Sequence, residues 1–242
     1  MELFYAPFID LHTLVLSSSL SHGQWTLPEF NGLAAAALSQ DDIPYNNVST
    51  EQQPSLLILG RIGDVFIEGN RAGFAVQRFD WGSLSAVGQI RNHQYLEAKD
   101  SALITEDKER AIEVGPQVSM RLGNGYVSQF TLFQDISDAH NSQEFEASIY
   151  KRFNVSNLQI VATLAAQYQT ADMMNYYVGT DHYTANAELT SEIELLATYD
   201  ISEHWSAIAV WRYYQHGDDF KNSPLTSGST TERVAIGIGR YF

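Results

Sequence analysis

The chain has 242 residues, a formal net charge of −15 and no cysteine, a length that suits one barrel or one large domain. The acidic balance excludes a main role in binding nucleic acid, since no basic surface displaces counterions from phosphates, and the lack of cysteine excludes a disulfide framework and CxxC metal sites. No apolar run is long enough for a membrane helix, which leaves open a crossing made by strands.

The N-terminal stretch carries one modest apolar run, Leu14-Val15-Leu16, and no Lys or Arg before Arg61. A secretory signal has a basic start. Residues 1–24 are therefore expected to be an atypical segment: a degenerate signal, a mis-assigned start or a disordered or plug-like piece. Residues 25–242 are expected to form the single folded unit.

Phe30 to Leu38 is the first strand candidate, and Asp41 to Gln53, with Pro44 and Asn46-Asn47, is a loop. Ser55–Arg61 and Val65–Glu68 follow, separated by Gly63-Asp64. Gly69-Asn70 is a tight-turn signal leading into Ala72–Phe79. Asp80 to Ser83 turns the chain into the alternating run ending at Arg91. Asn92 to Glu109 is a long charged loop. Ala111 to Leu122 alternates again; Pro116 removes one ladder donor and predicts a bulge there. Gly123-Asn124-Gly125 turns into the strand from Tyr126 to Leu132, and a medium loop ends near Ser142. Glu144–Tyr150 and Leu158–Gln169 alternate cleanly across the short turn Asn154–Asn157, and Thr170–Leu189 is the longest late loop.

The last three strands carry the clearest pattern. Ile193, Leu195, Ala197, Tyr199 and Ile201 share one face, with mostly acidic residues on the other. Trp205, Ala207, Ala209, Trp211 and Tyr213 do the same, and so do Val234, Ile236, Ile238, Arg240 and Phe242. A strand rising about 3.3 Å per residue and tilted about 40° sets Trp205 and Tyr213 roughly 20 Å apart, close to the height of an outer-membrane apolar band. Trp205, Trp211, Tyr213, Tyr199, Leu164, Tyr168 and Phe242 are the expected lipid-facing or interfacial residues. The polar face suits a wet lumen better than the core of a soluble sandwich. The expected fold is all-β: one transmembrane antiparallel barrel of about twelve strands, with ten as the alternative. Short and long connections alternate apart from the Gly69-Asn70 turn, so the short turns are assigned to the periplasm and the long loops to the outside.

The seven histidines offer no HxH or HExxH spacing, and there is no GxSxG. Gly237-Ile238-Gly239 lacks the third glycine of a dinucleotide fingerprint and is read as small residues facing a crowded lumen. Asp41-Asp42, Glu106-Asp107 and Asp218-Asp219 are read as charge that solvates loops. No catalytic, cofactor-binding or metal-binding residue is assigned. Arg91, Arg121, Arg152, Arg212 and Arg233 are expected to point inward with Glu113, Glu144, Glu146, Glu192 and Glu194, and to pair across strands so as to plug the lumen.

Met174-Asn175-Tyr176-Tyr177-Val178-Gly179 resembles a landmark of the MipA/OmpV family of outer-membrane proteins, as do His204-Trp205-Ser206, Arg212-Tyr213 and Asn222-Ser223-Pro224-Leu225. Gly63–Ile67 and Glu113–Pro116 fit the same order, so the resemblance covers roughly Leu27 to Phe242, with Tyr176, Tyr177, Val178 and Gly179 as its most family-like motif. The family ends Tyr-Arg-Phe, whereas this chain ends Arg240-Tyr241-Phe242. The resemblance implies a non-enzymatic outer-membrane protein of a Gram-negative bacterium. It also implies a scaffold between a murein-degrading lytic transglycosylase and a murein-synthesising enzyme, or a role in envelope adaptation. Outer-membrane lipid and lipopolysaccharide are the expected surroundings, and no nucleic acid is expected as a partner. A narrow pore for small solutes and a lipid-modifying enzyme at the rim are the alternatives.

Overall fold

The computed structural model describes residues 29–42, 44–46, 52–91 and 108–242. The expected N-terminal segment, residues 1–24, lies outside the described residues, as does the Glu106-Asp107 pair.

Twelve antiparallel strands close into a barrel in sequence order. They are β1 (Asn31–Asp42), β2 (Gln52–Ile62), β3 (Val65–Glu68), β4 (Arg71–Phe79), β5 (Gly82–Arg91) and β6 (Ala111–Gly123), then β7 (Tyr126–Asp135), β8 (Gln143–Val155), β9 (Leu158–Gln169), β10 (Glu188–Asp200), β11 (Trp205–Gln215) and β12 (Thr230–Tyr241). Closure comes from β1 against β12, from Leu33↔Tyr241 to Asp42↔Glu232. The terminal residue adds to it: Phe242 N–H donates to the Gly32 carbonyl at 2.9 Å, and its ring meets Phe30 edge-on at 6.0 Å. Closure leaves no outer edges between first and last strands, so ladder groups there are satisfied without water.

The period-two pattern decides which side chains face which way. Leu164, Tyr168, Tyr199, Trp205, Ile236, Ile238 and Phe242 are exposed on the outer surface. Glu113, Gln117, Thr131, Glu144, Glu194 and Ser206 are buried inside. An apolar outside around a polar inside is the reverse of a soluble barrel.

Two expectations need correction. Pro116 makes no bulge: β6 keeps one register with β7 from Glu113↔Asp135 through Arg121↔Val127. The shifts fall instead between Ala75 and Gln77 on β4 and between Arg121 and Gly123 on β6. The reason lies next door at Gly115, where an added Cβ would sit 1.6 Å from the Leu132 carbonyl oxygen. β7 crowds this stretch, and glycine absorbs the irregularity. The Thr170–Leu189 stretch is also no open loop. It holds a helix, α1 (Ala171–Val178), and the next long connection holds a short one, α2 (Asp218–Lys221).

Candidate functional site: the lumen and its cap

At the long-loop end, the connections pack into a small apolar core. Met173, Met174, Tyr177 and Val178 of α1 meet Ala185, Phe220 of α2 and Tyr45 from the β1–β2 connection. Polar bonds tie these pieces together. Asn175 Nδ2 donates to the Ala185 carbonyl at 2.8 Å, and Ala185 N–H donates back to Asn175 Oδ1 at 2.8 Å. Ser223 Oγ donates to the Val178 carbonyl at 2.6 Å, and Asn46 N–H to the Leu225 carbonyl at 2.9 Å. Glu188 accepts from the backbone N–H of Gly217 and Phe220, both at 2.9 Å. His216 stacks on Phe220 at 4.0 Å, and burial pushes its pKa down to about 4. Burial likewise raises the Tyr177 phenol above its ordinary range.

The family-like motif now has a physical role. Tyr177 and Val178 are buried in the cap core. The Tyr176 hydroxyl accepts from Glu109 N–H at 2.8 Å. Gly179 ends the helix where an added Cβ would lie 2.4 Å from the Asn175 carbonyl oxygen. The motif is a helix end that fits a cap.

Below the cap lies a layer of charge. Arg91 bonds Glu113 at 2.8 Å and Glu144 at 2.7 Å, and Arg71 bonds Glu146 at 2.9 Å while its guanidinium lies 4.9 Å over the Phe133 ring. Arg212 pairs with Glu194, and Arg233 with Asp41 at 2.7 Å. Of the arginines expected to pair inside, Arg91 and Arg212 bond expected glutamates, Arg233 bonds Asp41 instead, and Arg121 reaches the Asp80 carbonyl at the exposed rim. Arg71 and Asp41 were missed because neither sits in a strongly alternating run. The expectation of a plugged lumen needs correction, however: a cavity of about 880 Å³ remains, reaching from Asp41 and Arg91 down to Leu59, Tyr150 and Ile208. Beneath the charge, Leu33, Ala35, Leu59, Tyr150, Val161, Leu196 and Ile208 form an apolar floor toward the short-turn end. Gly237 and Gly239 make room for it: an added Cβ at Gly239 would lie 2.6 Å from Leu33 Cδ1.

One cluster has the connectivity of a hydrolytic site. His140 Nδ1 lies 2.5 Å from Ser142 Oγ, and His140 Nε2 lies 3.0 Å from Glu113 Oε1. Ser142 is 5% exposed and His140 7% exposed. Glu113 is committed to Arg91 and Gln89, and Asp135 beside it accepts from the N–H groups of Ser137, His140 and Asn141. A nucleophile needs a reachable carbonyl beside it. Here the hydroxyl is sealed in a turn, and the cluster fixes the β7–β8 connection beneath Tyr177, whose ring lies 5.7 Å from that of His140. Among the described residues, no three His, Asp or Glu side chains converge as metal ligands.

The predicted outer residues are all on one surface. Trp205, Tyr199, Leu164, Tyr168 and Phe242 are exposed, Trp211 and Tyr213 half-exposed. Trp211 and Tyr213 stack at 6.2 Å, and Trp211 Nε1 donates to Glu232. The Arg240 guanidinium lies 5.3 Å over the Phe242 ring at the short-turn end.

A closed barrel of this order, apolar outside and charged inside, has known counterparts. The family model described as "MltA-interacting protein MipA" matches residues 33–242. This chain belongs to the MipA family. The MltA-interacting protein of Escherichia coli (strain K12) is 22% identical over 213 residues, covering 82% of this chain and 85% of the relative. Among solved structures, the translocator domain of the autotransporter NalP from Neisseria meningitidis superposes with a TM-score of 0.51. It is 12% identical and covers 92% of this chain and 91% of that one. An outer membrane channel from Pseudomonas putida F1 matches more loosely, with a TM-score of 0.43, 10% identity and coverage of 93% of this chain and 99% of that one. The MipA-family chain is thus an outer-membrane β-barrel of the Gram-negative envelope.

Proposed function

We propose that this MipA-family barrel is a non-enzymatic scaffold that presents its short-turn end to a murein-degrading enzyme in the periplasm. The observation that carries this reading over a pore is the layered lumen: paired arginines and carboxylates above, and an apolar floor toward the short turns. Cations crossing such a floor would shed water and meet only apolar side chains and the buried guanidinium groups of Arg61 and Arg152, which is expensive. The relative named MltA-interacting protein supports the choice of partner. The sealed Ser142 supports the absence of hydrolytic chemistry.

On this reading the short turns, including Gly63-Asp64 and Gly123–Gly125, face the periplasm, and the capped end faces outward. Trp205, Trp211, Tyr213, Tyr199, Leu164, Tyr168 and Phe242 form the lipid-facing band and its aromatic margins. The cavity favours a second reading, a narrow pore, but the floor opposes it. Two measurements separate them. In a planar bilayer the full chain is expected to give no steady nanosiemens-scale openings. Immobilised barrel is expected to retain a purified lytic transglycosylase. Steady openings without retention would replace the scaffold with the pore.

A further inference from the structure

The barrel wall is not of even height. β3 has 4 residues, whereas the other strands have 9 to 13. The β3–β4 hairpin turns at Gly69-Asn70, where Gly69 N–H donates to the carbonyl of Ile58, near the middle of β2. β2 continues past that point to Gln52, paired with β1 throughout. Its other edge, Gln52–Leu57, has no strand partner among the described residues. On the far side, β5 rises only to Arg91 above the turn, where Asn70 bonds the Ile90 backbone. Among the described residues the wall therefore has a notch in its long-loop half, roughly 15–20 Å along β2 at about 3.3 Å per residue.

The sequence is built for an open edge here. Pro54 has the same parity as Ile58, whose carbonyl points at the hairpin. Its missing N–H therefore falls on the notch side, where a strand would need it, and an open edge is one of the few strand positions that suit proline. Unpaired backbone at membrane depth is stable only where it is covered by protein or lines a wet cavity. The lumen cavity does reach it. Elsewhere the cavity touches alternate residues of a strand, but on β2 it touches every residue from Gln53 to Leu57, both faces, together with Gly69 and Asn70. From the notch an apolar track runs inward along Leu57 and Leu59 to Leu196 and Ile208 of the floor. The axial way in from the long-loop end passes the packed cap.

We propose that the notch is a lateral portal, through which the hydrocarbon chain of a single-chain amphiphile passes from the adjoining leaflet into the lumen, its ammonium-bearing head resting at Glu68. The chain lies along Leu57 and Leu59 onto the floor, where burial of methylenes drives binding. The volume of about 880 Å³ falls in the range of small-molecule sites. Head chemistry follows from the charges. Arg71, Arg91, Arg212 and Arg233 each already hold a carboxylate. Glu68, on the inner face beside the turn, stands opposite Arg71 in the ladder, but Arg71 bonds Glu146, and no cation lies within 4 Å of Glu68 among the described residues. A zwitterionic head with an ammonium group fits better than a bare carboxylate.

The chain has no cysteine, so single labels are specific. Leu57→Cys, beside the notch, and Ser148→Cys, across the cavity, each carry a small fluorophore in the full chain in nanodiscs. The probe is lysophosphatidylcholine with a nitroxide on its acyl chain. Saturable quenching at both sites, reversed by unlabelled lysophosphatidylcholine, is expected. Glu68→Gln should raise the half-saturating concentration about tenfold, as loss of one bond to a charged group implies, and should leave oleate unaffected. Lengthening the hairpin at Gly69-Asn70 to fill the notch should abolish quenching at position 148, in a barrel checked for folding by heat-shifted gel mobility. Quenching at neither site, or at position 57 alone, would overturn the proposal. So would unchanged entry past the lengthened hairpin, or no response to Glu68→Gln.

Discussion

Two adjacent residues on β9 test which surface meets hydrocarbon. Leu164 is 56% exposed on the outside, between Ile149 of β8 and Ile193 of β10, close to the middle of its strand. Thr163 points the other way, into the cavity, between Tyr150 and Glu194. Arginine on the outer face near mid-membrane costs about 2–4 kcal/mol. Arginine at Thr163 meets space, water and the carboxylates of Glu192 and Glu194, and its cost is expected to stay below about 1 kcal/mol, the scale of a partly solvated charge with a partner. Reversible urea unfolding in phospholipid vesicles, followed by tryptophan fluorescence, gives both values. Leu164→Arg should lower the midpoint strongly and Thr163→Arg only slightly. Equal losses would mean that both faces are packed against protein. A neutral Leu164→Arg would mean that the outer surface meets water, and the barrel would not be a membrane protein.

Four further outcomes follow from named contacts. His216 titrates near 4 in the folded cap against an ordinary 6.5, so the opened cap binds the extra proton. Cap stability is then complete above pH 6.5 and falls by on the order of 3 kcal/mol as pH drops toward 4; amide exchange at Phe220 and Lys221 should speed up over that window, and should stop doing so in His216→Gln. Gly115→Ala must push Leu132 aside and should cost roughly 1–3 kcal/mol by the same urea assay, as overpacking does. An epitope inserted at Asp181-His182 should be reached by antibody on intact cells, and one after Asn124 only after permeabilisation. Arg71→Met alone should destabilise by about 3–5 kcal/mol by stranding Glu146, whereas Arg71→Met with Glu146→Leu should recover most of the loss.

The strands were legible because one period governs them. Alternation from Ala111 to Leu122 or from Leu158 to Gln169 is a local signal, and lipid outside with polar side chains inside keeps it strong on both faces. Gly69-Asn70 was legible as a turn for the same local reason, since only a tight turn suits that pair. What was not legible depends on partners distant in sequence. Helix α1 is short and has no side-chain N-cap bond. Short helices are marginal alone and take their stability from packing. Its packing comes from Tyr45 and Phe220, far away in the chain. Asp41 looked like a loop solvator until β12 brought Arg233 beside it. The absence of a bulge at Pro116 depends on how closely Leu132 approaches Gly115, which spacing does not encode.

The charged lumen raises a question of purpose that stability does not answer. The ladder from β1 through β12 already closes the barrel and, outside the notch, satisfies its backbone. Buried ion pairs add little beyond that, because desolvation offsets most of their attraction, and well-packed apolar residues often do as well. The apolar floor of Leu33, Leu196 and Ile208 shows that this chain fills part of its lumen in that cheaper way. The ion-paired charge gathers in the layer between floor and cap, around the cavity and level with the notch beside Glu68. A barrel that served only as a rigid post for a periplasmic enzyme would gain nothing from keeping that layer open and polar. Its position points to contents: something with a polar end that stays among the arginines and carboxylates, and an apolar end that reaches the floor. The proposed scaffolding at the short turns and the proposed occupancy of the lumen use different surfaces of the same barrel, so neither excludes the other.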